Sequence, residues 1–227
     1  MSRRRAARRW SAFFLEQSPT MLYDITPPVT PELAVWPGDT PPSRRVLLDL
    51  SKGDTVTLST LTATVHLGAH ADAPSHYGCA AAAIESRRLD YYLGPCQVIH
   101  IPVPPRTRIT PAMLGGEIVA PRVLIATHTA PDPNRWTPDF AALTPELVDW
   151  LHARGVVLAG IDTPSVDVSD SKDLPTHARF LANDMAILEG VVLGDVPAGT
   201  YELIALPLRL VGFDASPVRA VLRGINT

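Results

Sequence analysis

The sequence is poor in cysteine and has no long hydrophobic run. Only Cys79 and Cys96 occur among its 227 residues, which excludes a disulfide framework and a cysteine-type zinc ribbon. No apolar stretch reaches the ~18 residues that cross a membrane, because Arg209 interrupts the longest one, near 203–213. Hydrophobic residues at 46% and charged residues at 19% are typical of a globular domain and exclude a coiled coil or a disordered chain.

Charge is unevenly distributed along the chain. The first 20 residues carry a net +4, from Arg3, Arg4, Arg5, Arg8, Arg9 and Glu16. Since the whole chain carries −3, the remaining residues carry −7. A body this acidic lacks the basic stripe that a nucleic-acid-binding protein presents.

The Arg-rich start allows two interpretations. A targeting peptide can be rich in arginine and poor in acids, but this segment lacks an apolar core of 7–15 residues. The alternative is a disordered extension upstream of a start at Met21. We expect residues 1–21 to be such an extension and residues 22–227 to form the folded domain.

β-Branched and aliphatic runs predict seven strands. They cover 45–50, 55–65, 96–103, 122–127, 155–161, 187–193 and 201–208. Thr144 followed by Pro145 predicts a helix that runs to about Arg154 and stops at Gly155, and a second helix is predicted over 175–183. With 23 prolines and few helices, the pattern indicates a single strand-rich α/β domain.

Three of the seven histidines lie within eleven residues. His66, His70 and His76, together with Asp72, occupy even positions that share one face of a strand. A flat strand at ~3.3 Å per residue would hold His66 and His70 about 13 Å apart. One metal ion cannot bind both across that span, because zinc–nitrogen bonds are only ~2.0–2.1 Å long.

A bend in the chain would bring these side chains close enough to share a metal ion. Gly68 and Pro74 disfavour a helix here, so we predict a strand that ends near His66, bends at Gly68 and leaves through Pro74. The imidazoles and the Asp72 carboxylate then converge. Imidazole and carboxylate without thiolate are suited to Zn²⁺, Mn²⁺ or Fe²⁺, so the segment predicts a metal site.

The same segment resembles the motif His-x-Gly-Thr-His-x-Asp-x-Pro-x-His of the metal-dependent cyclase/hydrolase family, which includes the bacterial kynurenine formamidases. Ala69 replaces the threonine of the motif, at a position that does not bind metal. Further segments resemble the formamidase pattern, at 23–28, 35–39, 92–94, 160–165, 185–190 and 203–222. The resemblance covers nearly all of 22–223 and implies a fold of the swivelling β/β/α type.

The resemblance implies a role for each matching residue. His66, His70 and Asp72 match the ligands of a first metal ion, and Asp72 would bridge to a second. His76 matches the residue that donates and accepts the proton.

Two residues further along the chain complete the implied metal site. His177 matches a ligand of the second ion, and Glu189 matches a carboxylate that bridges both ions. Glu189 lies in an apolar run, where a buried charge needs a partner or a metal. The resemblance therefore implies two divalent metal ions, with Zn²⁺ expected and Mn²⁺ as the alternative. Trp36 matches an aromatic residue of the substrate pocket, where it would stack on an aryl group.

The implied reaction is hydrolysis of N-formyl-L-kynurenine to L-kynurenine and formate, in tryptophan degradation. Because no Gly-x-Ser-x-Gly elbow occurs, a serine nucleophile is not expected. A related enzyme that opens a cyclic amide, such as isatin hydrolase, would use the same ligands and stays open as an alternative. A non-catalytic metal-binding protein is the other alternative, but it would have no use for His76. The resemblance also implies a homodimer, and we expect a cytoplasmic protein that binds neither nucleic acid nor a membrane.

For the other polar residues we expect structural roles and no part in catalysis or metal binding. Asp162 and Ser165 lie where a predicted strand ends in a turn, so we expect them to cap backbone groups. His100, His128 and His152 belong to no pattern and are predicted to be packed or solvated.

Overall fold

The computed structural model describes residues 21–225. The predicted extension, residues 1–21, therefore lies outside the described residues except for Met21. Between residues 21 and 225, no helix is both long enough and apolar enough to span a membrane.

The described residues form thirteen strands and three α-helices. In chain order the strands β1 to β13 are Leu22–Asp24, Ser43–Leu48, Leu58–Thr62, His70–Asp72, Leu93–His100, Arg108–Ile109, Arg122–Ala126, Ala142–Leu143, Leu158–Ile161, Ala186–Glu189, Gly199–Ile204, Ala215–Pro217 and Val221–Gly224. The helices α1 to α3 are Pro74–Tyr77, Pro145–His152 and Pro175–Ala182. Short 3-10 helices cover Leu50–Lys52, Ile84–Ser86, Leu89–Tyr91 and Pro111–Met113.

All seven predicted strands are confirmed, as β2, β3, β5, β7, β9, β10 and β11, with ends within four residues of the prediction. The six further strands were not predicted. Each has only two to four residues, which is too short for an alternating pattern to be recognised. The α/β class is confirmed.

Helix α2 begins where its sequence predicts. The Thr144 hydroxyl accepts a hydrogen bond from the backbone N–H of Leu147, and Pro145 occupies the first turn. Its apolar side, which includes Leu151, is buried. The last helical residue is His152, slightly before the predicted end, and Gly155 has a φ of +79° where the chain turns away.

Nine strands form one sheet in the order β1-β13-β11-β5-β7-β9-β10-β4-β12. Strands β5, β7, β9 and β10 are parallel, and antiparallel strands flank them on both sides. The four parallel strands at the centre of the sheet are buried on both faces, as parallel strands usually are. Leu124 and Leu188 belong to the core on one face, whereas Val123 and Ile125 pack with Phe180 and the helices on the other.

Candidate metal centre

The site lies where the parallel strands end. Side chains at the carboxyl ends of neighbouring parallel strands meet at one edge of a sheet, which is where α/β proteins form their crevices. Glu189 is the last residue of β10, and His100 is the last residue of β5. The antiparallel strand β4 pairs with β10 so that His70 lies opposite Glu189.

The histidine motif is divided among three local structures. His66 lies in a loop, His70 and Asp72 lie in β4, and His76 lies in α1, which Pro74 opens. The predicted bend is confirmed at Gly68, where φ is +55°. A Cβ at this glycine would also lie 2.9 Å from Pro27 Cγ, so a larger residue would be strained there.

One part of the prediction for this segment was wrong. Strand β3 ends at Thr62, well before His66, and β4 is a separate buried strand. The short run His70–Asp72 adopts extended structure because it is hydrogen-bonded between β10 and β12. These partners are distant in sequence, so local propensity did not reveal the strand.

The Asp72 carboxylate lies at the centre of the histidines. Its Oδ1 is 3.1 Å from His66 Nδ1 and 3.5 Å from His70 Nε2. Its Oδ2 is 3.5 Å from His177 Nε2. Asp72 is 1% exposed, so each carboxylate oxygen faces a different part of one buried cluster.

Glu189 spans the same cluster from the opposite strand. Its Oε2 is 3.4 Å from His70 Nε2, and its Oε1 is 3.7 Å from His177 Nε2. The backbone N–H of Val166 donates to Oε1 at 2.7 Å and holds the carboxylate in place. Asp72 thus faces three histidines and Glu189 faces two, an arrangement that allows a carboxylate to be shared by two ions.

Outer hydrogen bonds select the tautomers of two histidines. His70 Nδ1 donates to the carbonyl of Gly68 at 2.8 Å, and His177 Nδ1 lies 2.8 Å from the carboxylate of Asp167. Since a carbonyl or carboxylate oxygen accepts the Nδ1 proton, each neutral ring keeps a lone pair on Nε2. The Nε2 atoms of both rings face Asp72 and Glu189, and the outer hydrogen bonds resemble those of the second shell of histidine–metal sites.

Asp214 links His66 and His76. Its Oδ2 lies 3.0 Å from His66 Nε2 and 3.4 Å from His76 Nδ1. His66 therefore has one nitrogen on an outer carboxylate and the other facing Asp72. The side chain of His76 is 35% exposed and faces the crevice.

The buried polar atoms of the cluster fit a cation. Within residues 21–225, His70 Nε2 and both carboxylate oxygens of Asp72 are buried without a hydrogen-bond partner. Leaving such groups unsatisfied is costly. Ligand atoms of His66, His70 and Asp72 lie within 4.8 Å of one another, and so do those of Asp72, His76 and His177. Nitrogen and oxygen donors in these groups fit a divalent metal ion.

The cluster also attracts protons. Burial disfavours charged histidine, but the carboxylates outweigh burial: hydrogen bonds to Asp72 and Asp214 raise the pKa of His66 to about 9. Asp167 and Asp72 likewise raise the pKa of His177 to about 10 against the effect of burial. Although burial alone would raise the pKa of Asp72, its histidine neighbours hold that pKa well below the usual range. The site therefore has a strong preference for positive charge.

A cavity of about 720 Å³ opens onto the cluster, a volume common for sites that bind small molecules. Trp36 lines it as predicted for a pocket residue, and is 37% exposed. Trp136 also lines the cavity, with its ring 4.8 Å from that of Trp36 in an edge-to-face contact.

The structural assignment of Asp162 is confirmed. Its carboxylate accepts from the backbone N–H groups of Thr127 and His128, and the Ser165 hydroxyl accepts from a backbone N–H. His100 and His128, expected to have no partner pattern, instead form a pair with 2.9 Å between their ring nitrogens. His152 is exposed at the end of α2, as predicted.

Three residues of the site were not predicted: Asp167, Asp214 and Trp136. Asp167 accepts from the N–H groups of the first turn of α3 and thereby positions His177. Its signal in the sequence is an acidic residue shortly after a strand, which is too common to identify a site. Asp214 meets His66 across 148 positions of sequence, and local patterns carry no such information.

Comparison with known proteins identifies the family of this chain. Residues 23–168 match the model of the Cyclase family, and the chain belongs to that family. A solved structure described as a potential metal-dependent hydrolase with cyclase activity is 28% identical, with a TM-score of 0.77, and the match covers 92% of this chain and all of that one. A predicted metal-dependent hydrolase from Bacillus stearothermophilus is also 28% identical, with a TM-score of 0.76 and the same coverage. Isatin hydrolase A from Labrenzia aggregata shares the fold, with a TM-score of 0.79 at 20% identity over 97% of this chain and all of that one.

Proposed function

We propose that this chain is a metal-dependent amidohydrolase that converts N-formyl-L-kynurenine to L-kynurenine and formate. The observation that carries the proposal is the convergence of His66, His70 and His177 on two buried carboxylates beside an aromatic cavity. Membership of the Cyclase family, and the metal-dependent hydrolases among its structural neighbours, support the reaction class. The resemblance to bacterial kynurenine formamidases supports N-formyl-L-kynurenine as the substrate.

The proposal assigns the cluster to two divalent ions. His66, His70 and Asp72 would hold the first, and His177 the second, with Asp72 and Glu189 shared by both. Zn²⁺ is the expected ion and Mn²⁺ the alternative, because both accept imidazole and carboxylate ligands. An ion bound here lowers the pKa of a water molecule and polarises a carbonyl oxygen.

His76 is the proposed proton carrier. A histidine can take and release a proton near neutral pH, and this side chain faces the cavity with Asp214 3.4 Å from its Nδ1. His76 accepts a proton as water attacks the formyl carbon. It then delivers that proton to the anilide nitrogen, which is a poor leaving group until it is protonated.

The aromatic residues of the cavity suit the aryl ring of this substrate. Trp36 and Trp136 lie edge to face, so one indole can stack on a bound ring while the other supports it. Two rotatable bonds per indole make the surface rigid, and a rigid wall positions the formyl group more reproducibly than a flexible one.

The direct test mixes metal-loaded protein with N-formyl-L-kynurenine and follows the absorbance of kynurenine. We expect turnover that a chelator abolishes and added Zn²⁺ or Mn²⁺ restores. His76→Ala should keep its metal and lose at least 100-fold in rate, which is typical for removal of a general acid–base residue. His152→Ala is the matched control, because His152 is exposed on α2 and outside the cavity.

Two results would overturn the assignment. Equal turnover by His76→Ala, with metal content verified, would exclude the proton-carrier role. No reaction with formylkynurenine, together with rapid ring opening of isatin, would favour the cyclic-amide alternative. Loss of metal from His76→Ala would instead identify His76 as a ligand.

The biological setting is also proposed. The resemblance supports a role in tryptophan degradation, a cytoplasmic location and a homodimer.

A further inference from the structure

The cavity beside the metal cluster is lined by many carboxylates and by a single arginine. Its acidic lining residues are Asp39, Asp132, Asp162, Glu189, Asp195 and Asp214. Arg135 is the only arginine or lysine among the cavity-lining residues of the described chain. Outside the metal cluster, the carboxylates disfavour an anionic ligand, so Arg135 is the position where a negatively charged group of a ligand can bind.

The guanidinium of Arg135 has no partner among residues 21–225. No carboxylate forms an ion pair with it and no side-chain hydrogen bond involves it, whereas the exposed Arg106 pairs with Asp139 at 3.0 Å. The carboxylate of Asp132, three residues before Arg135, instead accepts from the backbone N–H of Asn134 at 3.0 Å. Because a guanidinium carries five N–H donors in a planar fork, Arg135 keeps these donors for solvent or a ligand.

A tethered turn holds Arg135 beside the aromatic residues of the cavity. The backbone N–H of Ala34 donates to the carbonyl of Pro133 at 3.0 Å, which joins the turn to the loop that carries Trp36. Trp136 follows Arg135 directly, and the centre of its ring lies 4.8 Å from that of Trp36. Consecutive Cα atoms are about 3.8 Å apart, so the long side chain of Arg135 can reach a group that is bound next to the indoles.

We propose, on the basis of the proposed function, that Arg135 binds the α-carboxylate of an aryl substrate that carries an amino-acid group. With the aryl ring on the indoles and the formyl group at the metal cluster, the amino-acid end of N-formyl-L-kynurenine is free to meet this arginine. A carboxylate accepts two parallel N–H bonds from one guanidinium, which makes the contact both strong and selective. Neutral aryl amides such as isatin have no carboxylate, so Arg135 favours amino-acid substrates over them.

The test measures the binding of L-kynurenine, the proposed product, to the metal-loaded protein by isothermal titration calorimetry. The comparison ligand is 2-aminoacetophenone, which has the same aryl ketone and lacks the amino-acid group. Arg135→Met removes the guanidinium and keeps an unbranched side chain, whereas Arg135→Lys keeps the charge and loses the planar fork. Arg108→Met is the matched control, because Arg108 is also exposed and does not line the cavity.

We expect Arg135→Met to raise the dissociation constant of L-kynurenine about 10-fold, which is typical for the loss of a hydrogen bond to a charged group. The dissociation constant of 2-aminoacetophenone should stay at the wild-type value, whereas a purely structural role for Arg135 would weaken both ligands together. Arg135→Lys should recover part of the loss, and Arg108→Met should bind both ligands as wild type does. In turnover of N-formyl-L-kynurenine, the same loss should appear in KM rather than in kcat.

Equal binding of L-kynurenine by wild type and Arg135→Met, or an equal loss of both ligands, would overturn the proposal. Failure of the proposed reaction gives a different result. A wild type that binds L-kynurenine through Arg135 but does not hydrolyse N-formyl-L-kynurenine would refute the reaction and support the carboxylate site. Turnover with a KM that does not depend on Arg135 would support the reaction and refute the carboxylate site.

Discussion

Gly190 offers a sharp test of how closely the residue after β10 packs on the loop before β4. This residue follows Glu189, and its φ of +65° is unfavourable for any residue with a Cβ. A Cβ placed there would overlap the carbonyl oxygen of Gly68 and lie 2.9 Å from the carbonyl carbon. That carbonyl oxygen also accepts the hydrogen bond that orients His70.

The cost of Gly190→Ala can be divided into two parts. The left-handed conformation costs an alanine about 1–2 kcal/mol, and the overlap with Gly68 adds about 1–3 kcal/mol. We therefore expect the free energy of unfolding to fall by about 2–5 kcal/mol. Gly155→Ala is the matched control, because its φ is +79° and nothing lies within 4 Å of the added Cβ. Only the cost of the left-handed conformation applies to this variant.

Urea unfolding of both variants in the presence of a chelator measures the difference without any contribution from metal. Metal content of the folded proteins, measured separately, should fall for Gly190→Ala and stay at the wild-type value for Gly155→Ala. If both variants lose the same stability and both keep their metal, the close contact between Gly190 and Gly68 does not exist as described.

Three further changes test other parts of the structure. Asp167→Asn should weaken metal binding about 10–100-fold, which is the usual effect of losing an outer carboxylate. The reason is that the variant no longer has the carboxylate that fixes the His177 tautomer. An unchanged affinity in a metal titration would contradict this. The buried guanidinium of Arg122 donates to three main-chain carbonyls. Arg122→Met removes these donors and should lower the free energy of unfolding, measured in urea, by about 2–4 kcal/mol. The surface control Arg108→Met should lower it by less than about 0.5 kcal/mol. With pKa values of about 9 and 10 in the metal-free protein, His66 and His177 carry protons at neutral pH, and a metal ligand must be neutral. Metal binding should then release about two protons and strengthen about 100-fold per pH unit between pH 7 and 8, and a pH-independent affinity would refute those pKa shifts.

Local features were predictable where a few neighbouring residues decide the structure. Thr144 and Pro145 identified the start of α2, and the bend at Gly68 followed from a glycine between two histidines. Strand β4 was not predicted, since His70–Asp72 has no β-branched residue and becomes a strand only through its neighbours β10 and β12.

Long-range partners of the site were not predictable from composition or spacing. The motif identified His66 as a candidate ligand, but its contact with Asp214 depends on the path of the whole sheet. His100 and His128 meet because His100 ends β5 and His128 follows β7, and these strands are parallel neighbours. Residue type therefore predicted the inner part of the site, whereas the outer hydrogen bonds required the fold.

We expect the histidine and carboxylate cluster to bind divalent metal ions. Its most direct test is an anomalous-difference map from a crystal of the protein soaked in Zn²⁺. We expect one peak within bonding distance of His66, His70 and Asp72, and a second beside His177, with Glu189 between the two. A map without a peak at these residues, from a crystal that binds zinc elsewhere or not at all, would contradict it.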